Sequence, residues 1–115
     1  MAGADGFKSE VKRMEKIDVL VVSRHEGTIN YISKLFPSDF FNINVKDHIE
    51  KVEEVKEDII VGNLPLNLIQ KLLAKGKKFF YVALNIPREL RGKEIEDVSK
   101  YIEIYEVNSL ELTKW

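Results

Sequence analysis

Three polar segments carry most of the side chains able to do chemistry. The first is Ser23-Arg24-His25-Glu26-Gly27-Thr28, a hydroxyl, a guanidinium and an imidazole in succession. Arg24 can fork onto phosphate oxygens. His25 can carry a proton at physiological pH or donate to a phosphate. Ordinary turn chemistry, a helix cap and a surface ion pair, is the alternative for each. The second segment is Gly62-Asn63-Leu64-Pro65-Leu66-Asn67. Asn63 and Asn67 offer amides, although Asn63 could simply end a strand and cap a helix. The third runs from Asn85 to Lys93 and holds Arg88, Arg91 and Lys93 near Gly92. It reads as a local positive patch or as a solvated loop. Asn85 stands where it could read a base edge or a ribose.

What must position these segments is legible from the apolar pattern. Ile17 to Val22 is a β-branched run suited to a buried parallel strand. Ile29, Ile32, Leu35 and Phe36 follow at helical spacing, with Thr28 as a candidate N-cap and Pro37 as the stop. Phe40 to Val45 alternates as a second strand. His48 to Asp58 is heavily charged around Ile49, Val52 and Val55, and reads as a solvated helix or connector. Asp58 to Gly62 is a third strand. A helix follows with Pro65 in its first turn, Leu66, Ile69, Leu72 and Leu73 on its buried face, and Gly76 as its left-handed stop. Lys78 to Leu84 is a fourth strand, in which Phe79, Phe80 and Tyr81 read as core. Glu94 to Lys100 suggests a helical turn, and Tyr101 to Val107 a fifth strand. The expected fold is a single Rossmann-like α/β domain over residues 17–115, a mainly parallel sheet of about five strands flanked by helices. Residues 1–16 read as a disordered or helical extension, with a short helix from Ser9 to Glu15. In such sheets ligands bind beyond the C-terminal strand ends. The three polar segments therefore converge on one rim. Backbone N–H groups at 25–28 and 63–67 would add anion donors at two helix N-termini.

Bulk properties bound the rest. The chain has 115 residues, 44% hydrophobic and 32% charged, enough for one core. The net charge of −1 argues against a long nucleic acid as partner and leaves room for a small anion in a local pocket. Cysteine is absent, so disulfides, Cys-zinc sites and thiol nucleophiles are excluded. The histidines, His25 and His48, form no metal-ligating constellation with the acidic residues. No GxGxxG or P-loop signature occurs, which disfavours a dinucleotide cofactor or ATPase chemistry. No cofactor or metal is expected. The absence of a membrane-length apolar run and of a signal-peptide pattern predicts a cytoplasmic protein without membrane contact.

Two family resemblances bear on function. Arg24-His25-Glu26-Gly27-Thr28 partly resembles the Arg-His-Gly motif of histidine phosphatases, with a glutamate interposed. That family also needs a second active-site histidine and a larger domain. A closer resemblance spans residues 17 to 107. It is carried by Val21-Val22-Ser23-Arg24-His25-Glu26-Gly27, by Ile60-Val61-Gly62-Asn63-Leu64-Pro65-Leu66-Asn67, and by Leu84-Asn85-Ile86-Pro87-Arg88-Glu89-Leu90-Arg91-Gly92-Lys93-Glu94-Ile95. Together these motifs resemble the sixteenth Csx family, small proteins of type III CRISPR systems. His48 falls where that family carries a histidine. Glu26 and Asn63 depart from the family's usual proline and threonine. The resemblance implies a minimal CARF-like domain. It implies a homodimer that binds a cyclic oligoadenylate, cyclic tetra-adenylate first among the ring sizes, across its two-fold interface. It further implies a ring nuclease that linearises this messenger by metal-independent attack of the ribose 2′-hydroxyl. On that reading Arg24, His25 and His48 are the catalytic candidates. Ser23, Gly27, Thr28, Asn63, Asn67, Asn85, Arg88 and Arg91 are the ligand-binding candidates. A sensor or sponge that binds without cutting is the competing function, and a phosphomonoesterase is the third.

Overall fold

A computed structural model describes residues 15–93 and 97–115. The helix expected over Ser9 to Glu15 lies outside the described residues except for Glu15 itself. So does most of the N-terminal extension.

The strands form where β-branched and aromatic residues cluster. They are β1 (Ile17–Val22), β2 (Phe41–Lys46), β3 (Ile59–Gly62), β4 (Lys78–Leu84) and β5 (Ile102–Val107). The helices are α1 (Glu26–Leu35) and α2 (Leu66–Ala74). Short 3-10 turns occupy Val52–Glu54 and Arg88–Leu90. The sheet order is β2-β1-β3-β4-β5. The first four strands run parallel, and β5 returns antiparallel to β4. This is the α/β architecture the sequence predicts, with the chain reversing its direction of growth between β1 and β3. Among the described residues no helix is long and apolar enough to cross a membrane.

Because β1 and β3 are buried on both faces, their side chains divide between two cores. Leu20, Ile60, Leu68, Ile69, Leu72 and Phe79 pack on the α2 side. Val19, Val21, Ile32, Val61, Val82, Val98 and Ile102 pack on the α1 side. Each fully buried aliphatic side chain contributes about 1.5–3 kcal/mol, so these layers dominate the stability that holds the rim in place.

Several local expectations are corrected. The first helix starts at Glu26, and its N-cap is His25, not Thr28. The His25 ring is long enough to turn back and accept from the Thr28 backbone, which places Thr28 inside the helix. Leu35, expected on the buried face, is 49% exposed at the last position of α1. Phe36 makes the contact there instead, edge-on to Phe41 at 5.1 Å. In α2, Leu66 is exposed and Leu68 is buried with Ile69 and Leu72. At about 100° per residue, Leu66 lies roughly 60° beyond the edge of the stripe that Leu68, Ile69 and Leu72 define. The charged segment 48–58 is a connector rather than a solvated helix, and it is not solvated throughout. Its charges face water, but Ile49, Val52 and Val55 are buried against the α2-side core. Gly76 ends α2 with φ +84°, as expected. Of the helical turn expected over Glu94 to Lys100, residues 94–96 lie outside the described residues. Residues 97–100 lead into a turn closed by the Tyr101 N–H on the Val98 carbonyl at 2.9 Å.

Candidate functional site

All four parallel strands point their C-terminal ends to one rim, where the chain leaves β1 for α1 and β3 for α2. The gap between these two exits is the reversal point of the sheet, the usual ligand position in doubly wound folds. A cleft of about 220 Å³ opens there. Val22, Ile32, Val82 and Leu84 supply its apolar lining. Ser23, His25, Thr28 and Asn63 supply polar groups, and Gly62 completes it.

The β1 side is built by a short hydrogen-bonded turn. Ser23 Oγ accepts from the His25 backbone N–H at 3.1 Å. His25 Nδ1 accepts from the Thr28 N–H at 3.1 Å and lies 3.0 Å from Thr28 Oγ1. Thr28 is 4% exposed, so this clamp is anchored in the core. Two of the four N–H groups expected to serve an anion at 25–28 are therefore already engaged. Those of Glu26 and Gly27 belong to the first turn, where an α-helix supplies no internal acceptor.

The β3 side is set by Gly62 and Asn63. Gly62 lies directly across from Val22 in the parallel ladder. Asn63 Nδ2 donates to Tyr81 Oη at 3.1 Å and reaches the Val82 carbonyl oxygen at 3.5 Å. Asn63 thus does more than end the strand. Pro65, not Asn63, holds the N-cap position of α2, and no side chain caps that helix.

Of the residues singled out from the sequence, Ser23, His25, Thr28 and Asn63 come together in the cleft. Arg24 is exposed on the turn between Ser23 and His25, outside the lining. Gly27 sits in the first turn of α1 and Asn67 is exposed in the first turn of α2. His48 lies two residues beyond β2 on the same rim, with Nε2 3.5 Å from a Glu50 carboxylate oxygen and both side chains exposed. Asn85 is tied through its backbone N–H to the Tyr101 carbonyl at 2.7 Å. Arg88 begins its 3-10 turn, and Arg91 Nε donates to the Ile86 carbonyl at 3.4 Å. The third segment thus folds partly upon itself and contributes no residue to the cleft lining. Among the described residues no three His, Asp or Glu side chains gather as a metal site.

Gly62 and Tyr81 were not singled out as site residues. A glycine closing an apolar strand is a signal of close backbone approach, so Gly62 was findable. Tyr81 sits in a run of aromatics, and only the register of β4 on β3, which sets it across from Gly62, shows why its hydroxyl matters.

No curated protein and no solved structure matches the chain. A family model described as "Putative CRISPR-associated protein (Cas_VVA1548)" matches residues 20–104. That span runs from β1 into β5 and includes both sides of the cleft, so the chain belongs to this CRISPR-associated family.

Proposed function

We propose that the chain is a ring nuclease that binds cyclic oligoadenylate, cyclic tetra-adenylate first among the ring sizes, and opens it, switching off type III CRISPR signalling. The observation that carries this reading is a cleft with both polar and apolar walls at the sheet's reversal point in a chain of a CRISPR-associated family. Its volume of about 220 Å³ falls below the roughly 300–1,000 Å³ of pockets that enclose a whole small molecule. One ribose–phosphate unit suits it, and a four-nucleotide ring does not. The rest of the ring would then extend over the rim toward Arg24, His48 and the arginines of the third segment. In a homodimer the same half-site repeats about the two-fold axis, which matches a ligand with its own two-fold symmetry.

In the reaction the ribose 2′-oxygen bonds to the adjacent phosphorus and the bond from phosphorus to the 5′-oxygen breaks. The proton lost from the 2′-hydroxyl is balanced by one gained on the 5′-oxygen. The products are a 2′,3′-cyclic phosphate and a free 5′-hydroxyl, and no water is consumed. The protein has to orient the ribose and stabilise negative charge on the phosphoryl oxygens. Arg24 is suited to the second task, since a guanidinium pairs bidentately with phosphate. The third-segment arginines, Arg88 and Arg91, can add to it from the neighbouring loop.

The test is incubation with labelled cyclic tetra-adenylate in EDTA, with products resolved by chromatography. Linear products with cyclic phosphate ends are expected. Retained but intact ligand would make the protein a sensor or sponge. Absence of binding would remove both readings, and release of inorganic phosphate from a monoester would favour the phosphatase. His48 lies outside the cleft that holds His25, an arrangement unlike the paired histidines a phosphatase needs.

A further inference from the structure

The two sides of the cleft have hydrogen-bonding polarities that can be worked out atom by atom. A backbone N–H only donates, so His25 Nδ1, 3.1 Å from the Thr28 nitrogen, must offer its lone pair. A neutral imidazole carries one N–H, which therefore sits on Nε2. The buried Thr28 holds this ring in place through both its backbone and Oγ1. On the β3 side, Asn63 faces the Val82 carbonyl oxygen. A carbonyl oxygen only accepts, so the amide must present its NH₂ there and to Tyr81 Oη. Oδ1 is thereby turned away from both.

We propose that His25 serves the cleft as a donor through Nε2–H, that the exposed Asn63 serves it as an acceptor through Oδ1, and that the pair takes a hydroxyl beside a phosphate. The hydroxyl donates to Asn63 and a phosphate oxygen accepts from His25. This rests on the ring-nuclease reading only in naming the ribose 2′-hydroxyl and its 3′-phosphate as that pair. Thr28 and Tyr81 are positioning residues, acting through His25 and Asn63. His25 is not the base that removes the 2′ proton, because Nδ1 is engaged by the helix and Nε2 already carries hydrogen.

Two measurements on the full chain test this. Proton–nitrogen correlation spectra of the imidazoles, with His48→Gln used to assign the two rings, should show neutral His25 as the Nε2–H tautomer. An Nδ1–H tautomer or a mixture overturns the proposal. Titration with adenosine 3′-phosphate and with its 2′-deoxy counterpart should show tighter binding of the hydroxyl form, and Tyr81→Phe should shrink that preference. Equal affinity for the two probes, no binding of either, or a preference untouched by Tyr81→Phe overturns it. Neither measurement uses a cyclic ring, so their failure is distinguishable from a failure to cut cyclic tetra-adenylate. In addition, His25→Asn keeps a strong N-cap side chain while removing Nε2. It should unfold at the native denaturant midpoint yet bind adenosine 3′-phosphate about 10- to 100-fold more weakly, as expected for one lost hydrogen bond to a charged group. Native affinity in that variant overturns the donor assignment.

Discussion

A Cβ placed on Gly62 would stand 2.6 Å from the Val22 carbonyl oxygen and 3.1 Å from the Val22 Cβ. Both residues line the cleft and face each other across the β1–β3 ladder. The obstacle is main chain, which cannot swing aside as a flexible side-chain tip would. Gly62→Ala therefore has to push β3 from β1 where the cleft opens. Overpacking of this kind costs about 1–3 kcal/mol. We expect a lower urea midpoint with an unchanged slope, and weaker ligand binding than the stability loss alone accounts for. A variant with native stability would mean that the strand ends are looser than their packing indicates.

Arg24→Ala separates binding from folding. Arg24 is exposed and outside the cleft lining, and exposed substitutions usually change stability by no more than about 0.5 kcal/mol. Loss of a guanidinium–phosphate contact is worth about 1.5–3 kcal/mol. Turnover of cyclic tetra-adenylate should accordingly fall about 10- to 100-fold while the denaturation curve stays in place. Unchanged turnover would exclude Arg24 from the reaction.

The parts of this molecule that were readable from sequence are those governed by local composition. β1 and β4 fall where β-branched and aromatic runs place them, and Gly76 stops α2 because a left-handed residue was needed there. The start of α1 was misplaced because capping preference favours threonine, whereas the bond actually made comes from the His25 ring. Side-chain reach decided that, and propensity does not encode reach. The rim itself followed from strand alternation. Which polar groups would meet on it did not, since Asn63 depends on Tyr81 through the β3–β4 register. Arg88 and Arg91 were grouped with the site by the expected convergence of strand ends on one rim and by the family resemblance, and neither lines the cleft. Their loop folds back through bonds such as Arg91 to Ile86, which the sequence does not show.

The connector gives a direct test of local charge against tertiary burial. By composition it resembles a solvated stretch, yet Ile49 is 2% exposed and packs with the core that contains Leu20 and Ile60. Ile49→Ala should cost about 2–5 kcal/mol, the range for truncating a buried isoleucine. A loss below about 0.5 kcal/mol in chemical denaturation, typical of surface positions, would show that the connector does not seal the α2-side core.

Glu54 gives that same connector a pH dependence. Its Oε2 accepts from the backbone N–H groups of Lys51 at 2.8 Å and Glu50 at 3.0 Å, closing the turn that seats Val52 in the core. These bonds, Lys51's first and Glu50's second, hold the Glu54 carboxyl below its ordinary value of 4.5. A carboxyl whose pKa is lower in the folded than in the unfolded state binds protons preferentially when unfolded. Its contribution is therefore complete above the unfolded value and is lost as pH falls through the lower, folded one. The native chain should lose stability below about pH 4.5 more steeply than Glu54→Gln, whose neutral amide oxygen can still accept from the turn but cannot titrate. Paired urea midpoints across that acid range measure the difference. Parallel acid limbs in the two proteins would show that protonation of Glu54 does not weaken the turn, leaving the acid sensitivity to other carboxylates.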